Sequence, residues 1–366
     1  MSYFLYHSIG TFAGKEAAVN RAVAEFSRHW CAEDDGQWPD AMARRGAFIA
    51  GWQRLIGAPA GTLTLAESVT AALYSLMRGL PKARLTGGVV LVAQDCFPSL
   101  HFLLAELARR IGFTLRTVAP TGGRAYVTDD DLIAAWGPEV RLALITWVTS
   151  TTSHRADLDR LLDHGRRSSS LVGVDVTQGV GIRPYVAQAD FTVGSSLKWL
   201  CGVPGAGVLQ VMPDLLDDCQ PEFRGWFSQP NPFSWDLDAF AFAPDARRFD
   251  NGTPNLLPAI ASQPGLDHVL QTGVATLAAQ NAAMTGLLVE GTAELGLTLA
   301  SPPAAGQRGG SVMLGLPGKA AVVVDTLRLQ GIHTDARGSV LRLSPGSITT
   351  PDHCADLLDR LRGALA

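Results

Sequence analysis

Residues Leu171 to Val211 read LVGVDVTQGVGIRPYVAQADFTVGSSLKWLCGVPGAGVLQV. Three short apolar runs alternate here with turn-forming clusters. Leu171 to Val174 leads into Asp175 and Gln178, Phe191 to Gly194 leads into Ser195, Ser196 and Lys198, and Gly207 to Val211 follows a Gly/Pro turn. Runs of this length bounded by turn residues predict buried strands. In α/β sheets the chemistry gathers where the strands end. An acid and an amine delivered to strand ends therefore predict a ligand site.

The composition sets the frame around this stretch. The chain has 366 residues, 47% of them apolar and 17% charged, which predicts a well-buried globular protein with a large domain and a smaller one. A net charge of -4 argues against a broad nucleic-acid footprint. No apolar run nears the roughly 20 residues of a membrane helix. The opening MSYFLYHSIG has no basic segment followed by an apolar core, so a cytoplasmic location is expected. The five cysteines are scattered and never form CxxC, and the eight histidines show no ligand spacing; reduced thiols and no metal are expected.

Upstream, residues 1 to 14 form an extended opening, and helical spacing covers Gly14 to Trp30 and Met42 to Ile56. The segment TLTLAESVTAALYSLMRGL, from Thr62, predicts a strand entering a helix through Glu67, Ser68, Val69 and Thr70. Hydroxyl residues there cap free N–H groups, and the same N–H groups favour an anion such as phosphate. Val89 to Ala93 reads as a strand leading to Phe97, an aromatic placed where it can stack on a planar ring. Leu142 to Val148 reads as another strand, ending in the hydroxyl-rich stretch Thr149 to Ser153, and a helix over Asp157 to Arg167 follows. Such alternation predicts a mainly parallel sheet covered by helices.

Downstream, periodicity fades from Pro213 to Pro258, where aromatics and prolines crowd a segment of the kind used as a lid or subunit contact. Helical spacing returns over Leu266 to Leu295. Strands near Ser311 to Leu314, Ala320 to Val324 and Val340 to Leu343, with a last helix over Cys354 to Leu365, predict a small α+β domain. The expected division is an N-terminal extended segment, 1–14, a large domain, 15–258, and a linking helix with the small domain, 259–366.

One cofactor would use every polar strand end: a pyridine ring bearing an aldehyde and a phosphate. Asp175 would keep the ring nitrogen protonated, making the ring an electron sink, and Lys198 would condense with the aldehyde. The phosphate would sit at Val69 and Thr70, helped by Ser196, under a ring covered by Phe97. A GxGxxG dinucleotide turn and a phosphate loop ending in GK[ST] are both absent from the sequence.

These residues carry a resemblance. Asp175-Val-Thr-Gln178, Ala189-Asp-Phe-Thr-Val-Gly-Ser-Ser-Leu-Lys198 and Gly202-Val-Pro-Gly-Ala-Gly207 resemble the pyridoxal-phosphate signature of class V aminotransferase-like enzymes, fold type I. Within that group the chain is most similar to kynureninase. Leu5 to Gly10 is similar to its N-terminal strand, Glu67 to Leu73 to its phosphate segment, and Phe97-Pro-Ser99 to its ring-stacking segment. Arg224-Gly-Trp-Phe227 and Phe249 to Pro254 resemble its substrate loop and a segment lent by a neighbouring subunit.

The resemblance implies pyridoxal 5'-phosphate bound to Lys198 and Asp175 as the catalytic pair. Ser68, Val69, Thr70, Phe97, Gln178, Ser196, Trp226 and Thr253 would complete the cofactor site, with Thr253 reaching across a homodimer interface. Arg342 would pair with a substrate carboxylate in bidentate fashion, and Trp226, His7 and Asn251 would face the substrate. The implied reaction is kynureninase-like hydrolytic cleavage at the β carbon of an amino acid. Class V transamination and β-eliminating or C–S lyase chemistry are the alternatives.

Overall fold

The computed structural model describes residues 1–365. The strands in chain order are Ser2–Tyr3 (β1), Leu63–Ala66 (β2), Val89–Ala93 (β3), Thr114–Val118 (β4), Val140–Thr146 (β5), Leu171–Asp175 (β6), Phe191–Ser195 (β7), Gly207–Val211 (β8), Thr298–Leu299 (β9), Val312–Gly315 (β10), Ile332–His333 (β11), Asp335–Arg337 (β12) and Val340–Leu343 (β13). The helices are Lys15–Trp30 (α1), Gln37–Ile56 (α2), Val69–Gly79 (α3), Pro98–Ile111 (α4), Asp129–Ala134 (α5), Leu158–Arg167 (α6), Pro213–Asp218 (α7), Leu257–Thr272 (α8), Val274–Glu294 (α9), Ala320–Leu329 (α10) and Pro351–Leu365 (α11).

Seven strands form the main sheet in the order β2-β8-β7-β6-β5-β3-β4. From β4 to β7 every neighbour is parallel, and β8 alone runs against the strands on both its sides. A parallel sheet is buried on both faces, which is why its strands read as continuous apolar runs. Strand β3 illustrates this. Val89, Leu91 and Ala93 enter one core with Trp52, Ile145 and Val174, and Val90 and Val92 enter the opposite core with Leu73, Leu104 and Phe191. A third core, around Leu288, Val312, Val323, Leu341 and Leu357, belongs to the small four-stranded sheet β12-β13-β10-β9.

The N-terminal segment ties these cores together. Strand β1 pairs in parallel with β11, and Leu5 bridges to Ser344. Phe4 is buried in the small core, while Tyr6 enters the large one and stacks on Trp199 with ring centroids 5.8 Å apart.

Three elements differ from the sequence reading. Ala320 to Val324 forms the first half of helix α10 rather than a strand: Ala320, Val323, Val324 and Leu327 are its buried residues, and that 3–4 spacing against the small core overrides the strand preference of three valines. The helical stretch over Leu266 to Leu295 is two helices, broken at Gly273, whose φ of +83° suits glycine. The strand expected at Leu142 to Val148 lies two residues earlier, so Thr146 is its last residue. Among the described residues, no helix is long and apolar enough to cross a membrane.

Candidate active site

A cleft of about 640 Å³ opens at the carboxyl ends of β5, β6 and β7, bounded by the start of α3 and by Phe97. Two parallel strands set its floor. Thr146 and Asp175 are register partners at the last rung of β5 and β6, so their side chains leave the sheet together. The loop after β7 then delivers Lys198, and the turn that follows is closed by Cys201 N–H donating to the Lys198 carbonyl at 2.8 Å.

Asp175 is buried, and its Oδ1 accepts from the Thr177 backbone N–H at 3.0 Å and the Thr177 hydroxyl at 2.5 Å. All of its hydrogen bonds fall on that one oxygen, which leaves Oδ2 for a ligand in the cleft. Burial pushes its carboxyl up, while Thr177 and the charge of Lys198 pull it back down. Burial likewise pulls the Lys198 amine down to about 8; Asp175 opposes this, and Arg342 and Arg337 add to it. An amine held there is a free base in appreciable fraction near neutral pH and mostly so above pH 8, the form that attacks an aldehyde. Its Nζ lies 5.5 Å from the centroid of the Phe97 ring.

At the other end of the cleft, Ser68 caps α3 by accepting from the Ala71 N–H at 3.1 Å. The N–H groups of Val69 and Thr70 remain at the head of an 11-residue helix, facing the cleft with the helix dipole behind them.

The residues present fit a planar ring carrying a phosphate. Thr146 Oγ1 is a buried hydroxyl with no partner among the described residues and borders the cleft, an orphan that a ligand hydroxyl would satisfy. The anion-binding helix start, the open carboxylate oxygen of Asp175, the amine and the exposed face of Phe97 supply the other contacts.

The structure brings Ser68, Val69, Thr70, Phe97, Asp175, Gln178 and Lys198 to one cleft and leaves the other candidates outside it. Ser196 is a correction: it points away from the cleft, fully buried, and accepts from the Trp52 indole N–H at 3.1 Å, while its neighbour Ser195 lines the cleft instead. Strand alternation explains the exchange, since consecutive side chains leave on opposite faces. Trp226 is also a correction: it belongs to an aromatic cluster with Trp38, Phe227, Phe233 and Trp235. Asn251 caps its own loop by accepting from the Gly252 N–H, and Thr253 is exposed. Neither borders this chain's cleft, although the nearby Asn255 does.

Arg342 lies behind Ser150, a cleft residue whose carbonyl it reaches at 3.2 Å. It is not open as expected, because Asp335 fills its fork. His7 stands behind them, bonded to Asp335 at 2.9 Å and to Ser344 at 2.6 Å, and its carbonyl accepts from Gln178.

Sequence reasoning did not single out Thr146, Thr177, Ser150, Asn255 or Asp335. The signal for Thr146 lay in strand length alone. Asp335 was legible in principle, since Asp335 to Arg342 reads as two short strands about Gly338 and puts these two residues opposite each other.

Comparison with known proteins agrees with this geometry. The family model for class V aminotransferases matches residues 50–341. An isopenicillin N epimerase from Streptomyces clavuligerus is 29% identical over 85% of this chain and 82% of its own length. A kynureninase from Pseudomonas fluorescens is 25% identical over 88% of this chain and 79% of its own length. Among solved structures, a cysteine desulfurase from Thermococcus onnurineus superposes with a TM-score of 0.87 at 18% identity, covering 99% of this chain and 94% of that one, a likeness of fold.

Proposed function

The chain belongs to the class V aminotransferase family and depends on pyridoxal 5'-phosphate, and from that premise we propose that it catalyses reversible proton transfer at the α carbon of an amino acid, with Lys198 as the proton carrier. Bound in the cleft, the cofactor supplies an electron-withdrawing ring joined to the substrate's amino group. Asp175 would hold the ring nitrogen charged, Val69 and Thr70 would hold the phosphate, and Phe97 would cover one ring face. Lys198 would take a proton at Cα and return it to the same frame.

The observation that carries this reading is the lining. Apart from Asp175 and Lys198, Glu67 is the one titratable side chain among the described residues that borders the cleft. One proton carrier on one face is enough for transamination, whereas inversion at Cα needs a second donor on the opposite face. The kynurenine-type cleavage expected from the sequence is a second reading, favoured by the kynureninase among the relatives. It also needs a group to activate water at the γ carbonyl, and the residue before the lysine is Leu197, an apolar side chain in the cleft wall. Desulfuration that parks sulfur on the protein finds no acceptor, since no cysteine borders the cleft among the described residues.

A homodimer is part of the proposal. Phe102, Phe223, Phe233, Trp235 and Leu237 are exposed apolar side chains that a second copy would cover. In that arrangement Asn251 and Thr253 would serve the neighbour's cleft.

The test is a panel of amino acids incubated with cofactor-loaded protein in deuterium oxide. Exchange of the α proton with the carbon skeleton intact supports the proposal. Anthranilate released from kynurenine supports the second reading, and no exchange with any amino acid overturns the first.

A further inference from the structure

Strands β12 and β13 are antiparallel, and Asp335 stands directly opposite Arg342. Their side chains therefore share one face of the small sheet. Nε of Arg342 donates to Asp335 Oδ1 at 2.8 Å and Nη2 donates to Oδ2 at 2.5 Å. Two parallel N–H···O bonds of this kind are how a guanidinium receives any carboxylate, including that of an amino acid. Nη1 is engaged too, on the Ser150 carbonyl.

We propose that Asp335 is a resident competitor in the Arg342 fork, and that a substrate carboxylate binds by exchanging with it. This rests on the reading of Arg342 as the substrate's anchor. The two partners differ in freedom. The Arg342 side chain is 5% exposed, whereas that of Asp335 is 32% exposed and sits on a three-residue strand at the sheet edge. Asp335 is thus the partner that moves. It has a second holder in His7, whose Nε2 lies 2.9 Å from Oδ1 and whose ring is fixed at its other nitrogen by Ser344. Arg337 is two residues along the same strand and so on the same face; among the described residues it makes no ion pair. Its charge favours the arrival of an anion while Arg342 is still neutralised.

The exchange makes Asp335 a specificity residue. An incoming carboxylate gains only the difference between its own pair with Arg342 and the pair it replaces. Ligands with a bare carboxylate then bind weakly, and ligands with further contacts in the cleft are selected.

The test uses cofactor-loaded protein titrated with acetate and benzoate, which cannot react, with dissociation constants read by calorimetry and by the visible band of the bound cofactor. Asp335→Asn is expected to bind both at least about tenfold more tightly, Asp335→Ser to shift in the same direction, and Asp335→Glu to stay near the unmodified protein. Adding Arg342→Ala to Asp335→Asn is expected to abolish the gain. Unchanged or weaker binding in both Asp335→Asn and Asp335→Ser overturns the proposal and makes Asp335 a positioning residue for Arg342. A gain that survives Arg342→Ala overturns it as well. Failure of the proposed function is seen separately, as no exchange of the α proton in deuterium oxide, while these dissociation constants remain readable.

Discussion

Gly10 lies against the backbone of Lys198. Its N–H donates to the Leu197 carbonyl at 3.0 Å, and a Cβ on Gly10 would fall 1.8 Å from the Lys198 carbonyl oxygen. The N-terminal segment is therefore the back wall of the lysine's turn. Gly10→Ala is expected to push that turn out of place, lower the melting temperature by several degrees, at about 1–3 kcal/mol of overpacking, and slow capture of pyridoxal phosphate. Capture followed by the visible band at an unchanged rate would show that the lysine tolerates the shift.

Capture should also follow pH. Burial holds Lys198 near 8 against an ordinary value of 10.5. The rate at which cofactor-free protein takes up pyridoxal phosphate is expected to rise with a midpoint near pH 8, and a midpoint above 10 would contradict the burial argument. The same shift affects the fold. Between about pH 8 and 10.5 the unfolded chain keeps a proton that the folded lysine has released, so this group makes the cofactor-free fold gain stability as pH rises through that window. Below pH 8 its penalty is present in full. Denaturant titrations of the protein and of Lys198→Met across the window measure the difference.

Ser196 separates packing from cofactor binding. Ser196→Ala removes the acceptor of the buried Trp52 indole and is expected to cost about 1–3 kcal/mol of stability, with phosphate affinity unchanged. Equilibrium dialysis of pyridoxal phosphate checks the second half. A large loss of affinity there would return Ser196 to the phosphate site.

Asp250 anchors the irregular segment beside the cleft. Its Oδ1 takes Arg45 Nη2 at 2.8 Å and the Thr64 hydroxyl at 2.5 Å, with both charged side chains almost wholly buried. Asp250→Ala leaves the Arg45 charge buried without its partner and is expected to cost about 3–5 kcal/mol by chemical denaturation. A cost below about 1 kcal/mol would mean that water reaches Arg45.

What the sequence made legible was what strand ends make local. Asp175 and Lys198 follow apolar runs that a parallel sheet buries on both faces, so their arrival at one edge needed only strand order. Ser68, Val69 and Thr70 were legible because a helix start carries its own chemistry. Side-chain direction was harder. Ser195 and Ser196 are adjacent and chemically alike, and only the register of β7 decides which of them meets the cleft. Helix α10 is hard to read because three valines favour a strand, and only the spacing with which Ala320, Val323, Val324 and Leu327 meet the small core decides for a helix. The sequence neighbours of Trp226 point to the site, whereas its edge-on ring contacts with Trp38 and Phe227 are made outside this chain's cleft. Asp335 is not legible alone, because a lone carboxylate near a Gly turn reads as a surface residue until the hairpin puts Arg342 across from it.

The bridge from Leu5 to Ser344 has a consequence for synthesis. A ribosome makes the N-terminal segment long before the strand it pairs with, and closing so long a loop carries an entropic cost that the contacts of Tyr6 with Trp199 and of Gly10 with Leu197 offset only in part. The parallel sheet, with its lysine loop, can collapse while the small sheet is still untranslated. The nascent chain would then hold Lys198 in a turn whose back wall is fixed from the large sheet's side only. Cofactor capture on the ribosome should accordingly wait for residues near Ser344 to emerge, which makes competence of the site a late event in translation rather than a property of the large sheet.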